Sequence, residues 1–336
     1  MKKRILALVM SCLTAFTIVG CNKAENKQEA AKNKSLEEVS VVLDWYPNAV
    51  HGFIYDAIEK GYYEQEGLKV NIQFPSNTND AIALTAAGKA DLGIYYLQDV
   101  VMARGNEGIP VKAVGTIVQS PLNIVLSLKD KNIKSPKDLV GKKIGYAGTE
   151  LSEAIIGTML ENVGAKKDSA NTVDVGFDIM NSMTTGNVDA TIGGFINHEL
   201  PALEEQGFQM NYFSPGDYGV PNYYELVFVA GENNLDKNSD KIKRFLKASR
   251  KGFEDMKANP DEVLKILMKN QNVENFPLNE NVEKKSFKTL IPVMETKEAK
   301  FLSQDPKVWQ DNIDWLAKKG LLKKTFNASE VVENLE

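Results

Sequence analysis

Cysteine is nearly missing: the 336 residues hold two, Cys12 and Cys21, and histidine is as scarce, with His51 and His198. So few thiols exclude a disulfide framework, a Cys-based metal cluster and thiol exchange. His51 and His198 lack the His-x-x-x-His spacing and a third close ligand, so a metal site with Glu199 is not expected. There is no Gly-x-Ser-x-Gly elbow and no phosphate loop, which removes the usual sequence signs of hydrolysis and phosphoryl transfer. Basic residues are not in excess. Lys and Arg number 40 against 45 Asp and Glu, a net charge of −5, so a nucleic acid partner is not expected. After the N-terminus, no run is apolar enough to span a bilayer.

What is present begins with an export signal. Lys2, Lys3 and Arg4 precede an apolar run from Ile5 to Val19, and Ile18-Val19-Gly20-Cys21 reads as a lipoprotein signal-peptidase box. Residues 1–20 are then a signal peptide, and Cys21 becomes the lipid-modified first residue, anchoring the protein on the extracytoplasmic face of the cell membrane. Cys12 leaves with the signal. Residues 21–37, rich in Lys, Glu, Gln, Ala and Asn and without an aromatic residue, read as a flexible tether.

From Val39 onward, strand and helix patterns alternate, as in an α/β fold. Strands are predicted at Val39–Leu43, Val70–Phe74, Ala90–Ile94, Val111–Val118 and Ile124–Leu128, with helices at Phe53–Lys60 and Asn79–Ala87. A second unit of the same kind starts near Ser135. It has a helix over Glu150–Val163, strands over Val173–Phe177 and Ala190–Gly193, and a helix over Ile179–Thr185 between them. Gly88-Lys89-Ala90-Asp91-Leu92 is echoed loosely by Gly186-Asn187-Val188-Asp189-Ala190, which suggests two lobes of similar construction. The remaining length of about 300 residues favours two lobes over one core. The last hundred residues are mainly helical. Trp309 and Trp315 sit at helical spacing and read as packed core.

Several motifs carry a family resemblance. Leu43-Asp44-Trp45-Tyr46-Pro47-Asn48-Ala49-Val50-His51 resembles the opening motif of the thiamine-pyrimidine-precursor family, which includes importer-linked bacterial binding proteins and the fungal pyrimidine synthases. The resemblance continues through Gly61-Tyr62-Tyr63, Ala87–Gly93, Asp138–Gly145, Gly193–Glu199 and Asp217–Tyr224. It implies an α/β, type II periplasmic-binding-protein fold. Two lobes are joined by a two-crossing hinge, with the ligand cleft between them. Residues 38–128 plus 227–336 would form lobe 1 and 129–226 lobe 2, with crossings near Leu126–Asp130 and Glu225–Ala230.

The same resemblance nominates ligand contacts, each with a plainer alternative. Trp45, just past the first strand, either stacks on a flat ring or packs in the core. Asn48 either bonds ligand or caps a helix, and the two roles are compatible. His51 stands where the synthases keep their pyrimidine-donating histidine. Tyr96 is favoured over Tyr95 as a second stacking face. Thr149 opens a helix whose amides either hold an anion or formyl oxygen or are simply capped. Glu199 either meets the donor edge of an aminopyrimidine or is an ordinary surface Glu, and Asn197 braces it. Phe195 stands where a tyrosine is expected in the pyrimidine binders, and Tyr218 lies in the last motif.

Three functions remain open. The first is the solute-binding component of an ABC importer for a thiamine pyrimidine precursor of the formylated aminomethylpyrimidine type. The second is the same scaffold tuned to riboflavin, an aromatic sulfonate or another flat solute. The third is a synthase-like enzyme, disfavoured because the iron-handling cysteine cluster is missing. The expected partners are a small aromatic solute, the permease and ATPase subunits, and the membrane through the lipid anchor. The protein is expected to be a monomer without a cofactor.

Overall fold

The computed structural model describes residues 35–77, 79–176, 178–274 and 276–335. The expected signal peptide, Cys21 and most of the expected tether lie outside the described residues. Ten strands are found among the described residues. In chain order they are β1 (Glu37–Val42), β2 (Leu68–Gln73), β3 (Leu92–Tyr95), β4 (Val111–Val118), β5 (Asn123–Leu128), β6 (Lys143–Tyr146), β7 (Asn171–Asp174), β8 (Ala190–Phe195), β9 (Met210–Phe213) and β10 (Leu226–Gly231). They form two five-stranded sheets, ordered β2-β1-β3-β10-β4 and β7-β6-β8-β5-β9.

The two orders are one topology used twice. In each sheet the first three strands are parallel, and the antiparallel fourth arrives from the other sheet. The Gly-x-x-Asp echo marks the same corner in both. The Asp91 N–H donates to the Ser40 carbonyl, and its Oδ2 accepts the Ser40 N–H at 2.9 Å, tying β3 to β1. The Asp189 N–H donates to the Lys143 carbonyl, and its Oδ2 accepts the Lys143 N–H at 3.0 Å, tying β8 to β6. Gly88 and Gly186 precede these corners with φ of 67° and 78°, a turn that residues with a Cβ resist.

The expected lobe boundary moves. Residues 119–128 were assigned to lobe 1, but β5 pairs with β8 and β9 in the second sheet. The chain therefore leaves the first sheet over residues 119–122, and it returns before β10, which pairs with β3 and β4. The apolar run of β5 fits either sheet. Only the Ser120-Pro121 break, where Pro121 cannot donate a ladder hydrogen bond, marks the exit. β1 begins at Glu37, so the last residue assigned to the tether is already strand.

β10 is buried throughout, as a continuous apolar run in a central strand requires. The long helix Glu232–Ala258 packs across helix Gly52–Glu59 over one face, where Phe53 meets Phe228 and Phe301 edge-on at 6.1 and 5.0 Å. Helix Pro306–Lys318 packs with Trp309 fully buried and Trp315 nearly so, in the core as expected. Near the C-terminus, Val331 accepts from the Ala113 N–H and Ala113 accepts from the Glu333 N–H, covering the open edge of β4. No helix among the described residues is long and apolar enough to cross a membrane.

The helix crossing depends on a missing side chain. A Cβ on Gly252 would sit 2.1 Å from the Phe53 carbonyl oxygen and 2.9 Å from the Ala57 Cβ. Backbone cannot yield as a side chain can, so Gly252→Ala should destabilise the protein by about 1–3 kcal/mol. Urea unfolding measures this, and an unchanged midpoint would contradict so close a crossing.

Candidate functional site

The parallel strands of both sheets end on one cleft of about 420 Å³. Asp44 and Trp45 follow β1, Tyr96 follows β3, Ala147 follows β6, Gly176 follows β7 and Phe195 ends β8, and all six line it. Placement at the carboxyl ends of the strands is where open α/β sheets collect ligands.

The loop after β1 is fixed by its own polar groups. The Asn48 side chain accepts the Val50 N–H at 3.0 Å, capping the short turn Ala49–His51. The Asn48 N–H points at His51 Nδ1 at 3.3 Å. A backbone N–H can only donate, so Nδ1 accepts and the His51 proton resides on Nε2, which meets Asp44 Oδ1 at 2.9 Å. The Tyr96 hydroxyl donates to Asp44 Oδ2 at 3.3 Å. The Ala49 N–H donates to Glu283 Oε2 at 2.7 Å, pinning the loop to helix Glu280–Met294. Trp45 stands edge-on to Phe276 at 5.8 Å and to Tyr46 at 6.3 Å.

Across the cleft, both Glu199 oxygens are occupied. Oε2 accepts the Phe195 N–H at 2.7 Å and Oε1 pairs with His198 Nδ1 at 2.9 Å. Burial opposes ionisation of both partners. Their mutual hydrogen bond and charge outweigh it, holding the Glu199 carboxyl below its usual range and raising His198 above its own. Asn197 does not brace Glu199. Its Nδ2 donates to Ser286 Oγ at 3.0 Å on helix Glu280–Met294, a bond from one lobe to the other.

Six expected residues line the cleft together: Trp45, Asn48, Tyr96, Phe195, Asn197 and Glu199. Three do not. His51 is fully buried behind the wall, where it orients Asp44. Thr149 is an exposed helix cap whose hydroxyl accepts the Ser152 N–H at 3.2 Å. Tyr218 packs edge-on against Phe213 at 5.5 Å. Tyr96 rather than Tyr95 lines the cleft, the residue that the family resemblance favoured.

Sequence reasoning missed Asp44, Asp99, Asn123, Asp178, Tyr223 and Glu225, all of which line the cleft. Two signals pointed to some of them. Asp99 is the one acid in the mostly apolar stretch Leu97–Met102, and Glu225 directly follows the last family motif. The lining as a whole holds five carboxyl groups, of Asp44, Asp99, Asp178, Glu199 and Glu225, and no Lys or Arg. Burial pushes the Asp99 carboxyl up to about 6 and the Glu225 carboxyl up to about 7, the latter raised further by Asp99. Among the described residues no group of three or more His, Cys, Asp or Glu could hold a metal ion.

Two α/β sheets of one topology, joined by two crossings around an aromatic cleft, define the periplasmic-binding-protein fold. Solved structures of the same architecture include the aliphatic sulphonate-binding protein SsuA from Escherichia coli. It matches with a TM-score of 0.69 at 15% identity over 90% of this chain and 94% of that one. The chain belongs to the NMT1/THI5-like family, whose model matches residues 48–263. It is 42% identical to the formylaminopyrimidine-binding protein of Halalkalibacterium halodurans, over 91% of this chain and 92% of that protein. It is 28% identical to a 4-amino-5-hydroxymethyl-2-methylpyrimidine phosphate synthase of Saccharomyces cerevisiae, over 67% of this chain and 69% of that enzyme.

The His198–Glu199 pair gives stability a pH signature. His198 is raised, so its contribution is complete below the ordinary value of 6.5 and fades as pH rises through the raised one. Glu199 is lowered, so its contribution holds above 4.5 and is lost as pH falls through the lowered value. His198→Ala should therefore cost more stability at pH 5.5 than at pH 8.5, read by urea unfolding. Equal losses at both would show that the pair is uncoupled.

Proposed function

We propose that this protein is the solute-binding component of an ABC importer and takes a thiamine pyrimidine precursor of the formylated aminomethylpyrimidine type. The observation that carries this reading is the cleft lining: Trp45, Tyr96, Phe195 and Tyr223 surround a space rich in carboxyl groups and without Lys or Arg. A flat ring finds aromatic neighbours there. A sulfonate or phosphate finds no Lys or Arg to offset its desolvation, and His198 is already paired with Glu199, which argues against the aromatic-sulfonate reading despite the shared fold. An amine-bearing ring finds acceptors on several sides. Kinship to a formylaminopyrimidine-binding protein supports the same solute class.

The clamp itself suits capture and release. The lobes meet beside the cleft through Asn197 and Ser286, and through Glu205, which accepts from Asn281 at 2.8 Å and from Lys285 at 3.3 Å. Lys319 meets Glu161 at 2.8 Å, a further contact between the lobes. The Asn197–Ser286 bond is buried, while the Glu205 and Lys319 contacts lie at the surface and are worth little individually. A synthase role is disfavoured because the chain has only two cysteines, too few for the cluster that handles iron in the enzymes it resembles. In this reading the domain works outside the cytoplasmic membrane, held by lipid on Cys21, and delivers solute to a permease driven by an ATPase.

Three experiments test the reading. Solute extracted from the purified protein and identified by mass spectrometry should be an aminopyrimidine, and Trp45→Ala should weaken its binding in calorimetry by roughly 1–3 kcal/mol without unfolding. A co-purifying flavin or sulfonate would refute the assignment, and unchanged affinity would return Trp45 to a packing role. For the anchor, Cys21→Ser should release the protein from washed membranes. A variant that stays bound has another attachment.

A further inference from the structure

The strand ends away from the cleft carry charge differently in the two lobes. In the first sheet four cations there each meet an acid. Lys69 pairs with Glu38 at 3.1 Å, Arg244 with Glu37 at 2.6 Å, Lys241 with Asp91 at 2.7 Å and Lys247 with Glu66 at 2.8 Å. The same edge of the second sheet is rich in lysine. Lys129 and Lys131 bound the turn after β5, Lys142 and Lys143 lead into β6, and Lys166 and Lys167 precede β7. Backbone bonds join these turns in one row. The Lys129 N–H donates to the Gln209 carbonyl at 2.8 Å, the Gly141 N–H to Ser169 at 2.7 Å and the Asn171 N–H to Lys142 at 2.8 Å. Asp189 ties Lys143 to Lys131, accepting the Lys143 N–H at 3.0 Å and meeting Lys131 Nζ at 3.4 Å. Lys134 and Lys137 are exposed on the turn between, close in sequence to Val140, which is 47% exposed. Eight lysines thus stand against four acids, Asp130, Asp138, Asp168 and Asp189, on a chain whose net charge is −5. Among these eight, Lys131 alone makes an ion pair with a described residue. Asp138 spends one oxygen on the N–H groups of Lys134 and Ser135, and Glu161, beside Lys167, is taken by Lys319.

We propose that this lysine edge of the second lobe docks on an anionic lipid bilayer, with phosphatidylglycerol-type headgroups as its ligands. The first lobe shows that the fold does not need the excess: an equivalent edge is built there with its cations neutralised. Left unpaired, like charges in one row repel, and an anionic surface removes that repulsion. The residues are all Lys, without an Arg among them. Ammonium groups on flexible stems suit many mobile headgroups, where a planar guanidinium suits one fixed carboxylate or phosphate. Exposed Val140 gives the row an apolar side chain for the headgroup boundary. The edge lies at the amino ends of the parallel strands and the cleft at their carboxyl ends, so docking leaves the cleft uncovered. The inference does not depend on which solute fills the cleft. It draws on the proposed lipid at Cys21 only for proximity: residues 21–36, even fully extended, reach at most about 55 Å from the bilayer.

The test uses the Cys21→Ser protein, freed from membranes by a salt wash, so that acyl chains contribute nothing. It is sedimented at low and high salt with vesicles of phosphatidylcholine alone, or of phosphatidylcholine and phosphatidylglycerol in equal parts. Binding should appear only with the anionic vesicles and fall steeply with salt. Replacing Lys137, Lys142, Lys166 and Lys167 together by Gln should lower partitioning at least about tenfold, since each lysine near an anionic surface is worth about fivefold. The control replaces Lys243, Lys265, Lys288 and Lys297 by Gln, the same charge change on exposed first-lobe lysines, and should lose little. Equal losses in the two variants would reduce the effect to net charge and overturn the assignment, as would an absence of binding to anionic vesicles. Binding to native membranes but not to vesicles of their extracted lipids would give the surface to a membrane protein instead. Solute affinity should be the same in both variants, so a failure here leaves the solute reading standing, and a failure of that reading leaves vesicle binding unchanged.

Discussion

A single carboxylate oxygen, Glu225 Oε2, holds the N–H groups of Leu122 and Asn123 at 2.6 and 3.2 Å. Those amides belong to the outgoing crossing between the sheets, and Glu225 itself lies at the end of the returning one. Its own N–H donates to the Val118 carbonyl, where the outgoing strand ends. The two crossings are thus bound to each other at the point where either lobe would turn on the other. Gln98 extends the same bracing, donating to Asn312 at 2.9 Å, while Asn312 donates to the Asn222 carbonyl at 2.9 Å. Helix Pro306–Lys318 therefore supports the hinge from behind. The cleft's aromatic walls are carried by strands that converge on this junction, so their spacing depends on it.

The repeated topology explains what the sequence revealed and what it hid. Most strands of the first sheet were legible because they are short, largely apolar runs bounded by turns that carry glycine, whereas β9 and β10 were not predicted. The Asp91 and Asp189 corners were legible because each must fasten a third strand to a first, and a short side chain accepting one backbone N–H does that with little choice of residue. Lobe membership of β5 was not. A strand buried on both faces looks alike in either sheet, and pairing partners more than 60 residues distant leave no local trace.

The site divided along the same line. Trp45, Asn48, Tyr96 and Phe195 were legible because they stand at strand ends within recognisable motifs. His51 was equally visible but lies behind the cleft wall, and Glu199 lines the cleft with both oxygens held by neighbours, since a motif shows that a polar residue matters without showing which neighbour uses it. His51 spends its hydrogen bonds on Asn48 and Asp44, and Glu199 spends its own on His198 and Phe195. Glu225 and Asp99 stayed hidden because an acid in an apolar context reads as an anomaly until the cavity it borders is known.

A buried carboxyl at a hinge is costly if ionised without partners, yet Glu225 can change protonation without loosening the junction. The two backbone N–H bonds need only an acceptor, and Oε2 remains one whether Oε1 carries a proton or not. The residue on which both crossings meet also lines the cleft, so the junction and the binding space share one side chain. The same scaffold lined with cations would favour anionic solutes. The fold thus sets the cleft at the carboxyl ends of the strands, and its lining, five acids with His198 and neither Lys nor Arg, sets the charge met there.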